Sequence, residues 1–467
     1  MKRRKFLKLT LAISSMVLAP KYIYASTLDI SKINFNISKF NENLQTIIIF
    51  LAGGPCPLSG NLSNLEEINS VSQNDYNGHF GTRYLTKIED YNLWKQAGGE
   101  HMKNMLENEE LTIFRACYSK ERELVNNKAH GVCSQQNMNG NYDIEKPGIL
   151  TALNRVMEKN NLTDSNKLQF MTLIGKNGFY KGDDLEGLNP ISIDYKLSNP
   201  FDRKLTSHIL YTKEEKKNSE YKKIDPKIDN IFDNEALIKN NIDEMNSFIN
   251  NRKQINDKIK KVSEDRNDGN DNDKNLSEYG YTENDRFHQT LATAIELLDS
   301  NAETRTITIG TSGLGGWDDH SYCKINYTTR MQNLFKALEA SMRHLDGINK
   351  KGTINIMVFG EFGRNVNLNT SFGWDHGNLQ NLFILGGTDY FNHFGGLKSI
   401  IGETIVDDEG KPKNGRVWLK PKEGTYIVNP MSIASTIYHL NGIENPEELT
   451  GGYGVINPIV DGVSFIK

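Results

Sequence analysis

The chain has 467 residues, 55 basic against 59 acidic, a formal net charge of −4 and 37% hydrophobic side chains. That balance excludes a global field favouring nucleic acid or an anionic membrane surface and predicts a globular protein. Its four cysteines, Cys56, Cys117, Cys133 and Cys323, match no CxxC spacing and are too few to staple a chain this long, though one or two disulfides would suit an oxidising compartment.

At the N-terminus, Arg3-Arg4-Lys5-Phe6-Leu7-Lys8 precedes an apolar stretch from Leu9 to Ala19, then Pro20 and Lys21. This reads as a twin-arginine export signal over residues 1–26, with cleavage after Ala25. The apolar run falls short of the ~20 residues that a spanning helix needs, so no stable membrane span is expected after cleavage. The expected location is the periplasm, with the twin-arginine translocon as the partner during export.

Thr46 to Ala52 is a continuous apolar, β-branched run ending in Gly53-Gly54-Pro55, the pattern of a strand buried on both faces. Similar runs lie at Leu111 to Cys117, Leu168 to Ile174, Thr306 to Ile309, Ile354 to Phe359 and Leu382 to Leu385. Between two of them, Met331, Leu334, Phe335, Leu338, Met342 and Leu345 share one helical face. Strand, helix and strand in alternation predict an α/β fold with a doubly wound, mostly parallel sheet and helices on both faces. The first part of this core spans 27–210 and the second 285–467. Between them, 211–284 is dense in Lys, Asn, Asp and Glu and reads as a charged insertion, with a helical apolar face around Ile238 to Ile259 and a solvated loop at Glu264 to Asn275.

Three acid-bearing turns fall within a short stretch of a chain with only ten histidines: Gly316-Trp317-Asp318-Asp319-His320, Gly360-Glu361-Phe362-Gly363-Arg364 and Gly373-Trp374-Asp375-His376-Gly377. Hard cations and zinc both take carboxylate oxygen or imidazole nitrogen, and flanking glycines let short side chains converge, so the cluster predicts a divalent-metal site beyond the carboxyl ends of the strands. The expected ligands are Asp318, His320, Glu361, Asp375 and His376. Asp319 would point away from Asp318 in an extended segment, toward a supporting position or solvent. Each has a plainer alternative: Glu361 pairing with Arg364 across a tight turn, Asp375 capping a helix near Asn378, and Trp317 and Trp374 packing in the core rather than stacking on a sugar. Arg364 presents a planar fork suited to phosphate or sulfate, and His130 is suited to metal binding, base catalysis or phosphoryl transfer. Cys133 and Ser134 lie close enough to His130 to be alternative nucleophiles.

The leader, the strand ending in Gly53-Gly54-Pro55, the His130 to Gly140 region, Gly316-Trp317-Asp318-Asp319-His320, Glu361-Phe362-Gly363-Arg364, Asp375-His376 and the helix pattern at Pro430 to Ile437 together resemble the twin-arginine-exported family known as domain of unknown function 1501. That family is grouped with the alkaline phosphatase and sulfatase superfamily. The resemblance implies an alkaline phosphatase-like sheet with one or two metals held by Asp and His; donors of these types suit zinc or manganese and, less well, calcium or magnesium. Two departures stand out. The usual aspartate after the first strand is missing, where Cys56-Pro57-Leu58-Ser59-Gly60-Asn61 stands instead, leaving Cys56 as a substitute thiolate and one ion, or none, as an alternative. Cys133-Ser134 also lacks the pattern of a sulfatase maturation motif. The implied function is a periplasmic metal-dependent hydrolase of phosphate or sulfate esters, with His130 and Arg364 assisting at the anion and a small anionic ester or glycan as substrate. The alternative is a non-catalytic periplasmic binding or assembly protein on the same scaffold.

Overall fold

The structure, a computed structural model, describes residues 28–71, 86–88, 90–162, 169–174, 177–183, 186–192, 276–407 and 416–467. The export signal, the loop at 264–275 and the apolar face at 238–259 lie outside the described residues. So does most of the 211–284 insertion, of which only 276–284 is described.

Eight strands form the main sheet: β1 (Gln45–Leu51), β2 (Leu111–Cys117), β3 (Phe170–Thr172), β4 (Ile191–Ser192), β5 (Thr306–Ile309), β6 (Ile354–Gly360), β7 (Gln380–Gly386) and β8 (Ile400–Ile401). Their spatial order is β8-β2-β7-β6-β1-β5-β3-β4. All pairings are parallel except those of β7, which runs antiparallel to both β2 and β6. The apolar runs predicted six of these strands, β4 and β8 being short strands outside any run, and every residue of β1, β2, β6 and β7 is buried.

Alternation along the strands builds two cores. Ile47, Ile49 and Leu51 of β1 and Ile354, Ile356 and Val358 of β6 face one layer, in which α1 (Gly99–Glu107), α4 (Arg286–Ser300) and α5 (Cys323–Gly347) pack. Ile48 and Phe50 of β1 and Met357 and Phe359 of β6 face the other, covered by α3 (Ile149–Lys159) and α6 (Met431–Leu440). Each fully buried aliphatic side chain contributes roughly 1.5–3 kcal/mol. α5 carries the predicted stripe, with Met331, Leu334, Phe335, Leu338, Met342 and Leu345 all buried. Near the end of the insertion, Arg343 of α5 donates from Nε to the Tyr279 carbonyl at 2.7 Å, tying down the turn Leu276–Tyr279. No helix among the described residues is long and apolar enough to cross a membrane. All four cysteines are buried free thiols, so the disulfide alternative is set aside.

The reversal of β7 matters for the site. Gln380, at its start, pairs with Cys117, at the end of β2, so the turn feeding β7 opens on the same sheet edge as the carboxyl ends of β1, β2, β5 and β6. The three acid-bearing turns and α2 (His130–Asn139), which follows β2, therefore meet at one edge.

Candidate metal centre

His130, Asp318, His320 and His376 bring one donor atom each to within 4.8 Å of one another. Asp318 Oδ1 lies 3.1 Å from His320 Nε2, 3.3 Å from His130 Nε2 and 3.9 Å from His376 Nε2, and the Nε2 atoms of His320 and His376 are 2.9 Å apart. Four ligands about 2.0–2.1 Å from a tetrahedral ion would sit roughly 3.3 Å from one another, which these spacings straddle.

The outer nitrogens each face an acceptor. His130 Nδ1 meets Glu361 Oε1 at 2.5 Å, His376 Nδ1 meets the Lys128 carbonyl at 2.6 Å, and His320 Nδ1 faces Asp375 Oδ1 at 3.4 Å. A carbonyl or carboxylate can only accept, so each Nδ1 is placed to donate outward, and each Nε2 is the atom left to face the centre. The Nε2 atoms of His320 and His376 face each other at 2.9 Å, a spacing that either a shared proton or a shared metal ion satisfies. Burial, the nearby Arg364 charge and the neighbouring imidazoles push His376 down to about 4, which keeps it neutral and able to ligate. Asp318 is held below the usual carboxylate range: burial pulls it upward, but its bond to Arg364 and the charge of that guanidinium prevail. The donor set, three imidazole nitrogens and one carboxylate oxygen, could hold one divalent ion.

Two close approaches make the convergence feasible. Gly53, at φ +113°, lies where a Cβ would stand 2.5 Å from the backbone nitrogen of Asp318, and a Cβ on Gly373 would lie 2.0 Å from the His320 carbonyl carbon. Only hydrogen fits at either place. Asn369 completes the loop by donating to the His320 carbonyl at 3.1 Å and accepting from the Gly373 N–H at 3.0 Å. Phe362 lies against His376 and His130, with ring centroids 4.7 and 5.0 Å apart.

Several expected roles change. Glu361 stands behind the ligands rather than among them: it is buried, and its carboxylate accepts from Gly53 N at 2.7 Å, from His130 Nδ1 and from the Ser134 hydroxyl. Asp375 likewise stands behind His320. It accepts from Arg416 Nε at 2.6 Å and is held below the usual range, burial being outweighed by Arg416, Asn369 and His320. It caps no helix, because His376–Gly377 pairs with Gly363–Arg364 as a short antiparallel ribbon.

Arg364 has its donors turned to backbone carbonyls and to Asp318, and its ion pair is with Asp318 rather than Glu361. Its side chain is fully buried, donating to the carbonyls of Gly54 at 2.8 Å, Trp374 at 3.1 Å, Trp317 at 3.3 Å and Gly53, and to Asp318 Oδ1 at 2.6 Å. Asp319 is buried against Arg330 rather than solvent-facing, and burial raises its carboxyl. Trp317 and Trp374 are core residues. Cys56 is buried with its thiol near the Asn365 carbonyl, outside the cluster, and burial lifts it well above its ordinary range.

His130, expected at the anion, sits inside the cluster, held there by groups with little sequence signature. Arg122 is buried and donates to the Glu361 carbonyl at 2.9 Å, the Cys133 carbonyl at 3.2 Å and Asn137 Oδ1 at 2.6 Å, and Asn137 Nδ2 donates to the Gly360 carbonyl at 2.7 Å. Together they lock α2 to the turn after β6.

A family described as Protein of unknown function (DUF1501) matches residues 197–389. That span is less than half of the chain. No curated protein matches. Among solved structures, the chain is similar to an alkaline phosphatase from the Antarctic bacterium TAB5, at 10% identity and a TM-score of 0.33, covering 87% of this chain and 98% of that one.

Proposed function

We propose that this protein is a metal-dependent hydrolase of phosphate or sulfate esters that works in the periplasm after twin-arginine export. The observation that carries the reading is the set of three imidazoles whose Nδ1 atoms all face outward acceptors while their Nε2 atoms converge on Asp318. Such a donor set, at the carboxyl edge of a mostly parallel sheet, is organised to hold one divalent ion. The ion, when bound, supplies Lewis acidity toward a phosphoryl or sulfuryl oxygen.

The protein's own groups do the holding. Glu361 and Asp375 face the Nδ1 atoms of His130 and His320, Phe362 packs against the imidazoles of His130 and His376, and Arg364 tempers the charge of Asp318 while fastening the loops that carry it. Membership of the family whose profile matches residues 197–389, and the export route read from residues 1–26, are parts of the same proposal.

One observation favours the rival reading of a binding or assembly protein: the loop after β1 gives the site a backbone N–H from Gly53 and no carboxylate, so the described donors suffice for a single ion. Metal analysis of purified protein, with nitrophenyl phosphate, phosphodiester and sulfate substrates, separates the two. The hydrolase reading expects metal and turnover to disappear together in Asp318→Ala and His376→Ala. Stoichiometric metal without turnover on any ester would favour the rival.

A further inference from the structure

The segment Arg416 to Trp418 packs against Asp375 and His376 of the candidate metal centre. Trp418 Nε1 donates to the His376 carbonyl at 3.4 Å, and the Lys128 ammonium lies over the Trp418 indole, 5.5 Å from its centroid. Arg416 gives Nε to Asp375, but its two terminal nitrogens donate to no described residue, and its side chain is 43% exposed. Arg364, by contrast, has every nitrogen engaged and no exposed surface.

Charge sharpens the contrast. Asp318, Glu361 and Asp375 bring three negative charges and Arg364 one positive, so a divalent ion would only bring this inner set to neutrality. Neutrality does not draw in a dianion. With Lys128 offset by Glu123 at 3.6 Å, the one surplus positive charge beside this set is that of Arg416.

We propose that Arg416, with Lys128 beside it, is the recognition wall for a tetrahedral oxyanion, phosphate or sulfate, the head group of the substrate. This rests on the ester-hydrolase reading and assigns the anion role to a residue outside the sequence motifs. Anchoring Nε to Asp375 pre-orients the guanidinium plane and leaves a two-pronged donor edge, which a lysine cannot reproduce. The same anchor links that edge to His320 through one carboxylate.

The test is calorimetric titration of the metal-loaded full chain with inorganic phosphate and, separately, inorganic sulfate, with metal content measured on every sample. Arg416→Gln is expected to weaken binding of the preferred anion about tenfold or more at unchanged metal stoichiometry. Arg416→Lys should recover only part of that loss, and Lys128→Met should cause a smaller one. The arm that responds identifies phosphate or sulfate as the head group. The proposal is overturned if Arg416→Gln binds both anions as the parent does, or if it sheds the metal and Arg416→Lys restores metal and anion together, which would make Arg416 a support for Asp375. Should the parent hold its metal yet take up neither anion, the ester-hydrolase reading falls as well. If only Arg416→Gln is indifferent while esters are still turned over, the wall alone is refuted.

Discussion

Replacing Glu361 by Gln tests how much of the metal affinity is set by groups that never touch the ion. Glutamine keeps the shape. With its carbonyl oxygen in the Oε1 position, it still accepts from Gly53 N and His130 Nδ1, while its amide faces the Ser134 hydroxyl, which can turn to accept. What is lost is the negative charge behind His130, and with it the basicity of Nε2. Groups of this kind typically govern metal affinity by about 10–100-fold, equivalent to roughly 1.4–2.7 kcal/mol. Glu361→Ala should behave differently, because it removes the acceptor shared by the Gly53 N–H, the His130 Nδ1–H and the Ser134 hydroxyl, all half-buried, and so lowers stability as well as metal affinity. Competition against a chelator of known affinity measures the first effect, and urea unfolding of the metal-free protein measures the second. Unchanged metal affinity in Glu361→Gln would refute the reasoning, because it would mean that the His130–Glu361 contact does not support ligation.

Arg364→Lys should unfold at markedly lower urea, by about 3–5 kcal/mol, because one ammonium cannot serve the carbonyls and carboxylate that the guanidinium now satisfies. An unaltered midpoint would contradict this. Gly373→Ala should lose metal binding, since its Cβ would displace the His320 backbone, and a chelator-competition titration reads that directly. Acid should destabilise the metal-free protein through His393, which burial pushes down to about 4 and which is held neutral between Thr112 and the Gly386 carbonyl. Its folded pKa lies below the unfolded value near 6.5, so its contribution is complete above that pH and is lost as pH falls toward 4, on the order of 3 kcal/mol in all. Urea midpoints across that window should fall less steeply in His393→Gln than in the parent.

Much of the scaffold was legible because burial on both faces leaves an unmistakable imprint. Every position from Gln45 to Leu51 is buried, and the run of β-branched residues there has no other good explanation. The stripe from Met331 to Leu345 was equally plain. The antiparallel direction of β7 was not, because a short apolar run reads the same both ways. At the site, the motifs located the turns but not the depth of each side chain. Asp318 and Asp375 both follow a tryptophan, yet one faces the shared centre and the other is drawn back by Arg416, a residue outside every motif. Glu361 looks like any ligand in sequence. Its placement behind His130 depends on α2 being locked by Arg122 and Asn137, contacts that only tertiary structure creates. Backbone partners such as the Lys128 carbonyl leave no trace in sequence at all.

The most direct measurement is X-ray absorption spectroscopy of the metal-loaded protein at the edge of its bound ion. An ion held by the four-residue cluster should be surrounded by three imidazole nitrogens and one carboxylate oxygen at about 2.0–2.1 Å, losing one imidazole in His130→Ala. A shell containing sulfur, or one unchanged by removal of His130, would contradict this.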